Sequence, residues 1–143
     1  SLLYPPHSRF YQILYMKIYL YLDSSDLDEI AEPIEQAITE FLASGEVNTK
    51  WVRLVNLISD TESEPEQARV GDWDLGLIVE TNKKQYLKVP LNFLYKLAKK
   101  HEQEFVVGFF DDESGEPESV CYFGFEEGRP DMFEVASYLG LEK

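Results

Sequence analysis

Between Glu104 and Gly140 the chain reads EFVVGFFDDESGEPESVCYFGFEEGRPDMFEVASYLG, and no other stretch constrains the fold as tightly. Two apolar runs, 105–110 and 119–125, flank a polar loop at 111–118 that holds the turn formers Gly115 and Pro117. That is the pattern of a β-hairpin. Both runs are apolar on both faces, so both strands are expected in the interior. Cys121 goes with them as a small buried hydrophobe rather than a nucleophile. Gly128-Arg129-Pro130-Asp131 breaks the chain, and 132–139 reads as a closing helix stopped by Gly140. Acids mark the two ends of the hairpin, Asp111, Asp112 and Glu113 at one and Glu126 and Glu127 at the other.

The rest of the chain supplies the elements this hairpin must join. Residues 16–22 (MKIYLYL) alternate Ile18, Leu20 and Leu22 with Lys17, Tyr19 and Tyr21, the period of a strand. Aromatics on its second face make a central strand, covered on both sides. Asp23-Ser24-Ser25-Asp26 offers N-cap residues, and Leu27, Ile30, Ile34, Ile38, Phe41 and Leu42 come next at helical spacing. Pro33 either opens that helix or kinks it, and Gly45 ends it. Residues 49–59 form a second strand. The loop 60–72 (DTESEPEQARVGD) is long and acidic. Residues 73–80 give a third strand, 81–85 a hairpin loop and 86–89 a short fourth strand. Pro90 then opens a helix at its first position. The expected order is β-α-β-β-β-α-β-β-α. This is an α+β fold with a mostly antiparallel sheet of five or six strands, mixed if the first βαβ crossover joins neighbours.

Residues 1–15 contain no acid and differ in character from the rest of the chain. Met16 reads as the natural start of a single domain, 16–143, with 1–15 a leader outside its core. The other reading is an N-terminal extension that adds a strand or packs its aromatics.

Charge narrows the function classes. Twenty-seven acids against 13 Lys and Arg leave a net charge of −14. That field repels phosphate backbones and anionic lipid surfaces, so neither nucleic acid nor membrane is an expected partner. A basic protein would be attracted and steered. The outer face of the first helix carries Asp28, Glu29, Glu32, Glu35, Gln36 and Glu40 and no Lys or Arg, whereas the Lys residues gather between 83 and 100. One cysteine forms no internal disulfide, which fits a reducing, cytoplasmic setting.

Motifs for chemistry are sparse. One Cys and two distant His make a poor zinc set. The loop 111–118 departs from calcium-loop spacing, because Tyr122 occupies the twelfth position where a bidentate acid belongs. No nucleophile elbow or glycine-rich phosphate cradle occurs. No cofactor is expected. Trp73 between Asp72 and Asp74 suits an interface that grips a cation, or else it packs into the core.

In size, acidity and scarcity of catalytic residues the chain resembles bacterial immunity proteins that neutralise basic toxins. The resemblance implies a non-catalytic protein that docks a basic partner through an acidic face. The expected contact residues are Trp73, Asp72, Asp74, Glu62, Glu64, Asp111, Asp112, Glu113, Glu126 and Glu127. Two alternatives stand beside it. One is a small magnesium-assisted phosphoester hydrolase or nucleotide-handling enzyme, with Asp23, Asp111 and Asp112 as ligands. The other is a homodimer whose basic helix meets an acidic face of the second copy; the binding reading itself fits a monomer or a homodimer.

Overall fold

A computed structural model of the chain describes residues 16–58 and 69–141. The elements are β1 (Met16–Asp23), α1 (Leu27–Ala43), β2 (Val52–Asn56), β3 (Leu75–Thr81), α2 (Lys84–His101), β4 (Glu104–Phe110), β5 (Pro117–Gly124) and α3 (Met132–Leu139). The fold is α+β, a five-stranded sheet in the order β2-β3-β1-β4-β5 with three helices packed against it. Every neighbouring pair is antiparallel. Residues 1–15 lie outside the described residues.

One expected element is replaced. Residues 86–89 are helix, not strand, because α2 begins at Lys84. The observed run is therefore β-α-β-β-α-β-β-α. Leu87, Leu91 and Leu94 recur at intervals of four and three and are all buried, so the helical period outweighs the brief alternation before Pro90. Pro90 sits inside α2 and Pro33 inside α1. Each leaves the carbonyl four residues back, Tyr86 and Glu29, without its helical donor.

The topology explains why no parallel pair forms. The crossover β1-α1-β2 steps over β3, and β3-α2-β4 steps over β1. These are two interlocked split βαβ units, the ferredoxin-like arrangement, extended by β5 and α3. β1 is the middle strand, as its two apolar faces demand. Its Ile18, Leu20 and Leu22 join Ile34, Leu91 and Val135 in the core beneath the helices. The helix layer is tied by Phe41 and Phe93, whose rings stack at 4.0 Å.

Tyr19 and Tyr21 point to the opposite face, where they are buried with Ile78, Val106 and Phe110. Two glycines make room for them. A Cβ on Gly76 would meet the Tyr21 ring and the Leu20 backbone, and one on Gly108 would meet the Tyr19 ring. The ladder between β4 and β5 shifts at Val107/Gly108. This bulge leaves Val120 unpaired and sends it, with half-buried Cys121, toward the helix-side core.

Candidate functional site: an acidic and aromatic corner

Strand register decides which acids share a neighbourhood. Asp23 lies directly opposite Glu104, which lies opposite Gly124. The start of β3, with Asp72, Trp73 and Asp74 before it, belongs to this same end of the sheet, because Tyr21 pairs with Gly76. So does the turn carrying Glu126 and Glu127. Asp111 comes directly after Phe110 at the far end of β4. At about 3.3 Å per residue, the seven steps from Glu104 put it more than 20 Å away.

This separates the expected contact set. Asp72, Trp73, Asp74, Glu126 and Glu127 come to one end, and Asp111, Asp112 and Glu113 to the other. Glu62 and Glu64 lie outside the described residues. It also separates the expected magnesium ligands, since Asp23 cannot meet Asp111 and Asp112. Among the described residues no group of three or more His, Cys, Asp or Glu is placed to hold a metal ion.

Each member of the nearer group has a distinct role. Trp73 is half-buried. Its indole N–H donates to Asp23 Oδ1 at 3.0 Å, its ring lies 6.4 Å from Tyr19, and Tyr122 meets it edge-on at 6.3 Å. Asp23 is therefore a fixed acceptor for the indole, and Trp73 caps the tyrosine layer at its rim. Asp74 takes Arg69 at 3.4 Å, and at this exposure the pair adds little stability. Asp72 is exposed.

Glu104 builds the next turn. Its carboxylate accepts the backbone N–H of Glu126 and that of Glu127. Gly124 and Gly128 exchange backbone bonds at 3.0 and 2.9 Å, and both have positive φ. Gly124 needs to be glycine because a Cβ would run into the Gln103 carbonyl. Glu126 and Glu127 are thus displayed on a closed turn, both exposed. Arg129 reaches back over the Tyr95 ring of α2 at 4.8 Å.

Asp131 then starts α3, accepting the N–H of Phe133 at 3.0 Å and of Glu134 at 3.1 Å. Val135, Ala136 and Leu139 pin the helix to the core, which turns Phe133 and Tyr138 outward. They are 78% and 69% exposed, with Phe125 at 48% and Tyr122 at 45%. Four of the seven exposed large apolar side chains of the described residues fall within 122–138. Tyr122 and Phe125 correct the expectation that 119–125 is interior. β5 is an edge strand, so its side chains lack a neighbour on one flank.

The far tip is self-contained. Asp111 accepts backbone N–H groups from Glu113 at 2.8 Å and Ser114 at 3.0 Å. These bonds, Ser114 first, hold its carboxyl below the usual carboxylate range. Its charge serves the turn. On the tyrosine face, burial pushes the Tyr19 phenol up against the opposing pull of its 2.9 Å bond to Ser119. Burial likewise raises the Cys121 thiol.

A cavity of about 400 Å³ opens at the same end as Asp111, between the α1–β2 loop, β2, the end of β3 and the start of α2. Sequence reasoning gave no sign of it, because its walls come from four separate segments. No helix of the described residues is long and apolar enough to cross a membrane. Comparison of the chain with protein-family models, curated proteins and solved structures finds no match.

Proposed function

We propose that this protein is a non-catalytic, acidic binding module that docks a basic protein partner through the corner formed by β5, the 125–131 turn and α3. The observation that carries the reading is the coincidence of exposed aromatics with exposed acids. Tyr122, Phe125, Phe133 and Tyr138 stand exposed in the same stretch as Glu126, Glu127, Asp131 and Glu134. Interfaces combine these two features. Aromatic anchors supply the desolvation energy, about 1.5–3 kcal/mol for each large apolar side chain buried. The surrounding acids set the sign of the partner and speed its approach.

Scaffold geometry supports the same reading. The anchors stand on a capped helix, a closed turn and a sheet edge, so little ordering remains to be done on binding. Asp72 and the Trp73–Asp23 pair extend the acidic surface across the end of the sheet.

The test compares equal charge losses in two places. Proteins retained from a lysate of the source cells are measured for the wild type, for Glu126→Gln/Glu127→Gln, for Phe133→Ala/Tyr138→Ala and for Asp28→Asn/Glu29→Gln on α1. The expected result is one basic protein whose retention falls with salt and is lost in both corner variants while the α1 variant keeps it. Equal loss in the α1 variant would reduce the interaction to net charge and defeat the proposal.

A further inference from the structure

The geometry points to a second interaction surface, separate from the acidic corner: the outer face of the α1–α2 helix pair, which takes a second copy of this chain. Two adjacent helices carry opposite charge in matching register. α1 holds five acids and no base, and α2 holds five lysines, His101 and no acid. Ile34, Ile38 and Phe41 turn one side of α1 to the core, and Leu87, Leu91, Leu94 and Ala98 do the same for α2. Opposite the buried side of α1 stand Glu29, Glu32, Gln36 and Glu40, all exposed. Opposite that of α2 stand Lys88, Lys96 and Lys99, exposed, with half-buried Asn92 among them. Along α1 the intervals are three, four and four residues. Along α2, read from its C-terminal end, they are the same. Each stripe spans about 16 Å.

Topology sets the direction of the match. β1 and β2 are both antiparallel to β3, so they run the same way and α1 returns between them. β3 and β4 are both antiparallel to β1, so α2 returns the opposite way. The two helices are therefore antiparallel, held side by side through the Phe41–Phe93 stack. A two-fold axis lying in the interface, parallel to the helices, sets α1 of each copy antiparallel on α2 of the other. Glu29 then faces Lys99 of the second copy, Glu32 faces Lys96, Gln36 faces Asn92 and Glu40 faces Lys88. The two-fold axis makes every one of these contacts twice.

The charges have no use within the chain. Among the described residues no ion pair engages these acids or lysines; Glu40 accepts from Gln36 at 3.3 Å, and Lys99 lies over the Tyr95 ring. Each helix instead sets like charges three and four residues apart, Glu29 and Asp28 against Glu32 on α1, Lys99 and Lys100 against Lys96 on α2. Such pairs weaken a helix, and a partner of opposite sign relieves them. Tyr86 and Val89, 56% and 38% exposed, add apolar contact beside the Lys88–Glu40 pair. The repulsion between two chains of charge −14 acts at long range and is screened at about 0.1 M salt, whereas pairs enclosed at a contact are screened less.

Sedimentation equilibrium of the intact chain at about 100 μM, well above a micromolar Kd, tests the assignment. The wild type should show twice the chain mass of 16.6 kDa at about 0.1 M salt and move toward the single-chain mass at about 1 M. Glu32→Lys/Glu40→Lys and Lys88→Glu/Lys96→Glu should each be single chains. An equimolar mixture of the two should regain the doubled mass, because the reversed α1 meets the reversed α2 while the two unaltered faces meet as before. All four positions are exposed, and circular dichroism checks that each variant keeps its helices. Glu126→Gln/Glu127→Gln at the corner should leave the doubled mass unchanged, so this surface and the corner stand or fall separately. A wild type of single-chain mass, a doubled mass that survives either reversal, or a mixture that stays at the single-chain mass would overturn the assignment.

Discussion

Replacing Gly76 by Ala tests how tightly the tyrosine face is built. The added Cβ would sit 2.7 Å from both the Cα and a ring carbon of Tyr21, and closer still to the Leu20 carbonyl. Tyr21 belongs to β1, which is hydrogen-bonded on both sides and cannot step away. Overpacking of this kind costs about 1–3 kcal/mol, and contact with backbone rather than a flexible tip places Gly76 in the upper half of that range. For a domain of this size about 2–3 kcal/mol lowers Tm by roughly 6–15 °C. Gly115→Ala is the comparison. It has φ +75° with nothing within 4 Å of an added Cβ, so only backbone strain of about 1–2 kcal/mol applies. Thermal and guanidinium unfolding, followed by circular dichroism, measure both. If Gly76→Ala proves no more destabilising than Gly115→Ala, the close approach of β1 and β3 is wrong.

Three further outcomes are expected. Burial raises the Tyr19 phenol, so its neutral form stabilises the fold below the unfolded value near 10, and that stability is lost as pH climbs toward the higher folded value. Tyr19→Phe should flatten the fall in unfolding free energy between pH 8 and 11, at a cost of about 0.5–1.5 kcal/mol near neutrality for the lost Ser119 bond. Asp111 has the opposite sign: its carboxyl is lowered, its contribution is present above the unfolded value and disappears as pH falls through the folded one, so Asp111→Asn should shallow the acid limb of the stability profile. Asp131→Ala removes the cap of α3 and should cost about 0.5–2 kcal/mol, with faster amide exchange at Phe133 and Glu134.

Period-two runs carried most of the sheet. The alternation Ile18, Tyr19, Leu20, Tyr21, Leu22 marks β1 as a strand, and aromatics on its second face mark it as central. The start of α2 was harder to read. Tyr86-Leu87-Lys88-Val89 alternates by itself, and only the longer reach from Leu87 to Leu94 exposes the helical period. Pro90 does not mark the start of α2, because a proline in the seventh position of a helix is tolerated where tertiary packing holds the turns around it.

The corner was legible in part. Glu126, Glu127 and the Asp72–Asp74 triplet stand out as acids at element ends, but their meeting depends on Asp23 pairing with Glu104. Those strands are separated by two helices and two other strands, and alternation within a strand says nothing about which distant strand lies beside it. Phe133 and Tyr138 were hidden for another reason. The helix MFEVASYL is apolar on nearly every side, so its sequence does not reveal which face is buried.

The most direct measurement is site-specific photo-crosslinking inside the source cells. A benzophenone side chain is placed in turn at Phe125, at Phe133 and, on α1, at Gln36. Docking at the corner predicts a single adduct, with a protein of net positive charge, from positions 125 and 133 and no adduct with such a protein from 36. Adducts with it in equal yield from all three positions, or from 36 alone, would contradict a docking site at the acidic and aromatic corner.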